Sequence, residues 1–199
     1  GTLVAGVGTA GFNAHVTALA VGDVDHDGKD DVVAASDANS IWIFRQCGFN
    51  GVFASVTSAT LSTSSNGVVP RAVVLGDWDL DGDLDVAVLK GSTTGGKVEL
   101  VRNNGGPNPP VAYATNVHAR AGALSVAATD VDSNGDLDLV VANGKDNSVY
   151  ILRGASGLTF VICRPRGRVC GSSSFRLARV GDCSRRRPCH VAHGSQRKV

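Results

Sequence analysis

Residues 76–85 read GDWDLDGDLD, Gly76 to Asp85, with five carboxylates in ten positions. Residues 22–31 read GDVDHDGKDD, and residues 129–138 read TDVDSNGDLD. All three fit one template, D-x-D-x-[D/N]-G-x-x-D, and their first acids, Asp23, Asp77 and Asp130, lie 54 and then 53 residues apart. Self-similarity at a period near 50 residues marks a repeat architecture, in which each copy buries its apolar face only against its neighbours.

The flanks repeat as well. VTALAVGD, RAVVLGD and LSVAATD lead into the three clusters, DDVVAAS, LDVAVLK and LDLVVAN leave them, and SIWIFRQ, GKVELVRN and NSVYILRG follow. Short runs of Val, Ile and Leu bounded by Gly, Asn, Asp and Ser read as strands. A weaker fourth segment follows the first two clusters, VFASVTSATLS and PPVAYATNV, and no stretch keeps a helical period. The sequence therefore predicts an all-β chain, a β-propeller-like array of four-stranded antiparallel blades. The blades divide as residues 15–68, 69–116 and 117–160, after an N-terminal strand over 1–14 that closes a blade or pairs with another chain. Propellers close with about four to eight blades, so three clear blades leave open edges that invite pairing.

The spacing suits Ca²⁺, a hard cation that takes six to eight oxygens at about 2.3–2.6 Å. Acids at positions 1, 3 and 5 turn inward, Gly at position 6 allows a positive φ, position 7 offers its backbone carbonyl, and Asp at position 9 closes the cage. The predicted sets are Asp23, Asp25, Asp27, the Lys29 carbonyl and Asp31; Asp77, Asp79, Asp81, the Asp83 carbonyl and Asp85; and Asp130, Asp132, Asn134, the Asp136 carbonyl and Asp138. An EF-hand is excluded, because it needs Glu at position 12 and flanking helices, and here position 12 is Ala34, Val88 and Val141 between strand patterns. Mg²⁺ fits less well, since it demands a near-octahedral site and keeps its waters. Plain polar turns are a poor alternative, because so many carboxylates in nine residues repel one another without a cation. The expectation is three Ca²⁺ sites.

The blocks AVGDVDHDGKDDVVAA, VLGDWDLDGDLDVAVL and AATDVDSNGDLDLVVA resemble FG-GAP/VCBS repeats, the calcium-loop blades of integrin-α-type β-propellers and of many secreted bacterial proteins. The resemblance spans roughly residues 15–160. GFNGVFAS at 48–55 and GLTF at 157–160 are similar to the end-of-blade Gly-x-x-Phe element of that family, which is otherwise poorly kept. The resemblance implies a fold and a calcium site and leaves the activity open.

The formal net charge of +1 conceals a segregation. Residues 1–160 carry 17 acids and 9 bases, whereas residues 161–199 carry one acid, Asp182, and ten bases. Within this Arg/Cys-rich tail Val180-Gly181-Asp182 falls in phase, 52 residues after Asp130, but positions 3, 5, 6 and 9 have become Ser184, Arg186, Arg187 and His190. Two readings stand for the tail: a degenerate fourth blade without calcium, or a stretch whose sequence is itself unreliable, such as a frame slip. Cys163, Cys170, Cys183 and Cys189 match no tight zinc spacing. In an oxidising compartment they allow two disulfides in three pairings, with Cys47 left over. The chain contains no Met, which marks it as processed, truncated or not numbered from a start codon.

No G-x-S-x-G, H-E-x-x-H or P-loop motif occurs, and His15, His26 and His118 have no sequence partners, so no enzyme is expected. Three functions remain. The first is a secreted, extracellular calcium-binding repeat protein with a structural or adhesive role, contacting other proteins and self-assembling into oligomers or filaments. The second is a lectin-like, carbohydrate-binding propeller, with Trp42 and Trp78 as candidate sugar contacts. The third is the non-catalytic fragment of a larger secreted polysaccharide-active enzyme. Protein partners are expected and glycan stays open; neither a nucleic-acid partner nor a membrane span is expected, since no apolar run nears about 20 residues.

Overall fold

The computed structural model describes residues 14–46, 53–61, 68–105, 115–155 and 159–163; among them are twelve strands and no helix. Sheet 1 contains β1 (Val16–Gly22), β2 (Asp31–Ser36), β3 (Ser40–Gln46) and β4 (Phe53–Thr60). Sheet 2 contains β5 (Val69–Gly76), β6 (Asp85–Gly91), β7 (Gly96–Val101) and β8 (Thr115–Ala119). Sheet 3 contains β9 (Ala123–Thr129), β10 (Asp138–Asn143), β11 (Ser148–Ala155) and β12 (Thr159–Cys163). Each is an antiparallel meander in which sequential strands are spatial neighbours. β4 lies within the weakly patterned segment VFASVTSATLS, and β8 begins in the last three residues of PPVAYATNV. β8 runs past residue 116 and β12 past residue 160, so the second and third repeats each extend three residues beyond the boundaries drawn from sequence.

The sheets stack face to face, with β1 against β5 and β5 against β9. Strand alternation decides what each face meets. On β6, Val86 and Val88 join Val33, Ala35, Ile41 and Ile43 of sheet 1, while Ala87 and Leu89 join Leu139, Val141, Tyr150 and Leu152 of sheet 3. A strand covered on both faces needs an unbroken apolar run, and all seven residues of β6 are buried. In β3 burial alternates, with Ile41 and Ile43 in the seam and Trp42 and Phe44 half-buried on the other face. The outward side of β1 leaves Leu19 and Val21 61% and 62% exposed, and Val149 of β11 is 50% exposed.

One polar patch breaks the seam between sheets 1 and 2. Lys90 and Glu99 lie on the sheet-1 side of β6 and β7, fully buried, with Lys90 Nζ 3.6 Å and Lys97 Nζ 3.4 Å from Glu99 Oε2. Burial pulls the Lys90 ammonium below its usual pKa. The seam between sheets 2 and 3 is tied at the hairpin end remote from the Asp-rich turns, where Gly122 N donates to Ser92 O at 2.8 Å and Lys145 Nζ donates to Thr93 O at 2.9 Å. The expected N-terminal strand, for residues 1–13, and the tail beyond Cys163 lie outside the described residues. So do the fourth-blade reading, Cys47, and the pairing of the tail cysteines.

Candidate metal centre

Each Asp-rich segment is the turn between the first two strands of its sheet, β1–β2, β5–β6 and β9–β10. The three turns are built identically. The position-1 carboxylate accepts from the backbone of positions 5 and 6: Asp27 N and Gly28 N on Asp23, Asp81 N and Gly82 N on Asp77, Asn134 N and Gly135 N on Asp130, at 2.9–3.2 Å. The position-5 side chain accepts from position 7: Lys29 N on Asp27, Asp83 N on Asp81, Asp136 N on Asn134. The expected positive φ occurs at Gly28, Gly82 and Gly135, at 82°, 96° and 93°. It also occurs at position 4, in His26, Leu80 and Ser133, at 60°, 61° and 59°. The left-handed region costs a non-Gly residue roughly 1–2 kcal/mol, and of the three side chains only His26 is of a type enriched there.

Position 9 has a structural task of its own. Asp31, Asp85 and Asp138 are fully buried. One oxygen of each accepts from position 2 of its loop, Val24, Trp78 or Val131. The other accepts from the end of the third strand or the residues just after it, Gln46 N at 2.9 Å, Asn103 N at 2.7 Å and Gly154 N at 2.8 Å. The carboxylate thus latches the turn onto the third strand. Burial raises the pKa of Asp31, and that of Asp85 to about 6, because the charged form loses water.

Position 3 contrasts with this. The side chains of Asp79 and Asp132 are only 8% and 9% exposed, yet Asp79 Oδ1 and Asp132 Oδ1 accept no hydrogen bond. A buried carboxylate oxygen with no donor is costly unless something positive meets it. Part of that positive charge comes from arginines that sequence reading left unassigned. Arg45 Nη1 lies 3.5 Å from Asp25 Oδ2, Arg153 Nη1 lies 2.8 Å from Asp132 Oδ2, and the Arg102 guanidinium pairs with Asp79 and reaches Asp81 Oδ2 at 3.1 Å. Each precedes the residue whose N–H meets the position-9 latch. The signal was present as the Arg repeated in FRQ, VRN and LRG.

The geometry fits a divalent cation. Asp23, Asp25 and Asp27 each offer an oxygen within 4.8 Å of the others, as do Asp77, Asp79 and Asp85, and Asp130, Asp132 and Asp138. Two Ca–O bonds of about 2.4 Å span such a separation. The fifteen positions expected from sequence lie on these turns and at the first residue of the strand that follows each. Among the carboxylates, Asp31 stands outside the first converging set and Asp81 outside the second. Lys29 adds its ammonium to Asp27 Oδ2 at 2.6 Å and holds that carboxyl below its usual pKa. The side chain of Asp83 faces His26 Nε2 of the neighbouring turn at 3.4 Å.

The first two turns are joined. Asn103, buried at the end of sheet 2, donates from Nδ2 to Val24 O at 2.7 Å and to Leu84 O at 3.2 Å. Asp85, Asn103, Val24 and Asp31 therefore form one hydrogen-bonded line between the two latches. In sheet 3 the equivalent of Asn103 is Gly154, which has no side chain to repeat the bond. His15, unpartnered in sequence, pairs with Asp37 at 2.9 Å. Trp78 is buried in the core between sheets 2 and 3 and so offers no ring face to a sugar.

A search of curated proteins found no match. The profile of the FG-GAP-like repeat matches residues 23–88 and again residues 77–141, two copies one repeat apart that together run over more than half of the sequence. With strands, turn template and period all in register with those matches, the chain belongs to the FG-GAP-like repeat family.

Proposed function

We propose that the chain is a calcium-stabilised, extracellular repeat module of β-propeller type that works by binding protein partners, without catalysis of its own. The observation that carries the calcium reading is the threefold recurrence of converging carboxylates, with buried Asp79 and Asp132 oxygens that no donor meets. Asp23, Asp25, Asp27, Asp31 and the Lys29 carbonyl would hold one ion. Asp77, Asp79, Asp81, Asp85 and the Asp83 carbonyl would hold the second, and Asp130, Asp132, Asn134, Asp138 and the Asp136 carbonyl the third. When bound, Ca²⁺ supplies two positive charges to each turn and cross-links it. The chain's own part is to present position 1 and position 3 oxygens on a turn already latched to the third strand. The acids are thereby assigned to cation binding rather than to bond cleavage.

Protein contact is supported by the two outer sides of the array, where Leu19 and Val21 on one and Val149 on the other are exposed. Apolar groups left on the ends of a stacked array are the surface against which a further sheet, from this chain or another, packs. Extracellular sites of this class have Kd values as weak as about 10⁻⁴–10⁻³ M, which suits millimolar calcium outside cells. The deciding measurement is thermal unfolding in EDTA and in millimolar CaCl₂. A marked rise in Tm with calcium is expected, and superimposable curves overturn the calcium reading. Sedimentation velocity over a range of concentrations, with and without EDTA, tests assembly; a monomer at every concentration removes the self-association part.

A further inference from the structure

We propose that Arg45, Arg102 and Arg153 are resident counter-ions of the three turns: each holds the position-3 carboxylate when no divalent ion is present and competes with that ion for it, so that the arginines set calcium affinity and keep the ion-free array folded. The inference rests on the calcium reading above and goes beyond it by naming residues outside the loop template.

The placement is the same in every repeat. Each arginine sits one residue before the backbone N–H that meets the position-9 carboxylate, so the latch that closes the turn also aims the guanidinium. The ion pairs are Arg45 with Asp25, Arg102 with Asp79 and Asp81, and Arg153 with Asp132. Arg45 and Arg153 are themselves largely buried, their side chains 9% and 16% exposed. Removing one partner of a buried pair leaves an uncompensated charge and is strongly destabilising. In the second turn five carboxylates fall within nine residues, and Arg102 is the cation that meets Asp79. The guanidinium leaves Asp79 Oδ1 and Asp132 Oδ1 without hydrogen bonds, so the turn still has an oxygen to give. A guanidinium and a dication sharing one carboxylate repel each other by roughly tenfold in affinity even in a water-like dielectric.

The test compares wild type with Arg102→Met, which keeps the aliphatic stem and removes the charge, and with Arg102→Lys, which keeps the charge. Trp78 occupies position 2 of the same turn, so its fluorescence in a Trp42→Phe background follows CaCl₂ titration. Arg102→Met is expected to bind calcium about tenfold more tightly, equivalent to about 1.4 kcal/mol, while melting at a lower temperature in EDTA. Arg102→Lys is expected to return both quantities toward wild type. A purely structural arginine gives a loss of stability with unchanged or weaker calcium binding, and that result overturns the proposal while leaving the calcium reading intact. Absence of any calcium response in the wild type overturns both.

Discussion

Asp85→Ala separates the latch from the metal site. The Asp85 carboxylate is fully buried and accepts Trp78 N at 3.2 Å and Asn103 N at 2.7 Å. Truncation leaves two buried N–H groups without partners, at about 1–3 kcal/mol each. The expected loss is therefore about 3–5 kcal/mol with no calcium present, near the upper end of what single substitutions do. For a chain of this size that is a fall in Tm of about 6–20 °C. Asp79→Ala is the control. Asp79 Oδ1 accepts no hydrogen bond and Oδ2 meets only the Arg102 guanidinium, which keeps Asp81 as a partner when Asp79 is gone. It should cost little in EDTA and instead forfeit the calcium-dependent gain of the second turn, about 2.7 kcal/mol at a hundredfold excess over Kd. Urea unfolding of both variants, in EDTA and in calcium, gives the four numbers. If Asp85→Ala loses less than about 1 kcal/mol in EDTA, or no more than Asp79→Ala does, position 9 is a ligand only and the latch is wrong.

Other substitutions probe single features. Leu80→Asn should stabilise by about 0.5–1 kcal/mol in a thermal melt, because Asn tolerates the φ of 61° that strains Leu, and it should also improve solubility by removing an exposed apolar tip. Gly82→Ala should destabilise by about 1–2 kcal/mol although a Cβ there meets nothing within 4 Å, since the φ of 96° alone opposes it. Asn103→Ala removes the donor to Val24 O and should cost about 1–3 kcal/mol. In it, calcium binding at the first turn should become independent of Asp85→Asn, as a double-mutant cycle reads.

Much of the fold was legible because sheet stacking writes itself into local composition. DVAVLK and SIWIFRQ both read as strands from four consecutive apolar residues, and the structure then buries β6 along its whole length and β3 at alternate positions. The turn template carried the positions of the carboxylates and the positive φ at Gly28, Gly82 and Gly135. What it could not carry is division of labour among identical residue types. Asp79 and Asp85 are both Asp in one loop, yet one lacks hydrogen bonds and the other has two, because only the second lies beneath the returning third strand. The Asp25–Arg45, Asp79–Arg102 and Asp132–Arg153 pairs join residues about twenty positions apart, so no window of loop sequence contains them. β12 had no strand segment assigned to it and β8 runs two residues past PPVAYATNV, because an edge strand needs little apolar signal.

The two seams of the array are pinned at opposite ends. Sheets 1 and 2 are joined beside the Asp-rich turns by Asn103 and by His26 with Asp83, whereas sheets 2 and 3 are joined at the far hairpins by Ser92 with Gly122 and by Thr93 with Lys145. Among the described residues, the polar path from one outer sheet to the other therefore runs the length of the middle sheet, entering at Asn103 beside the turns and leaving at Ser92 and Thr93 at the far hairpin.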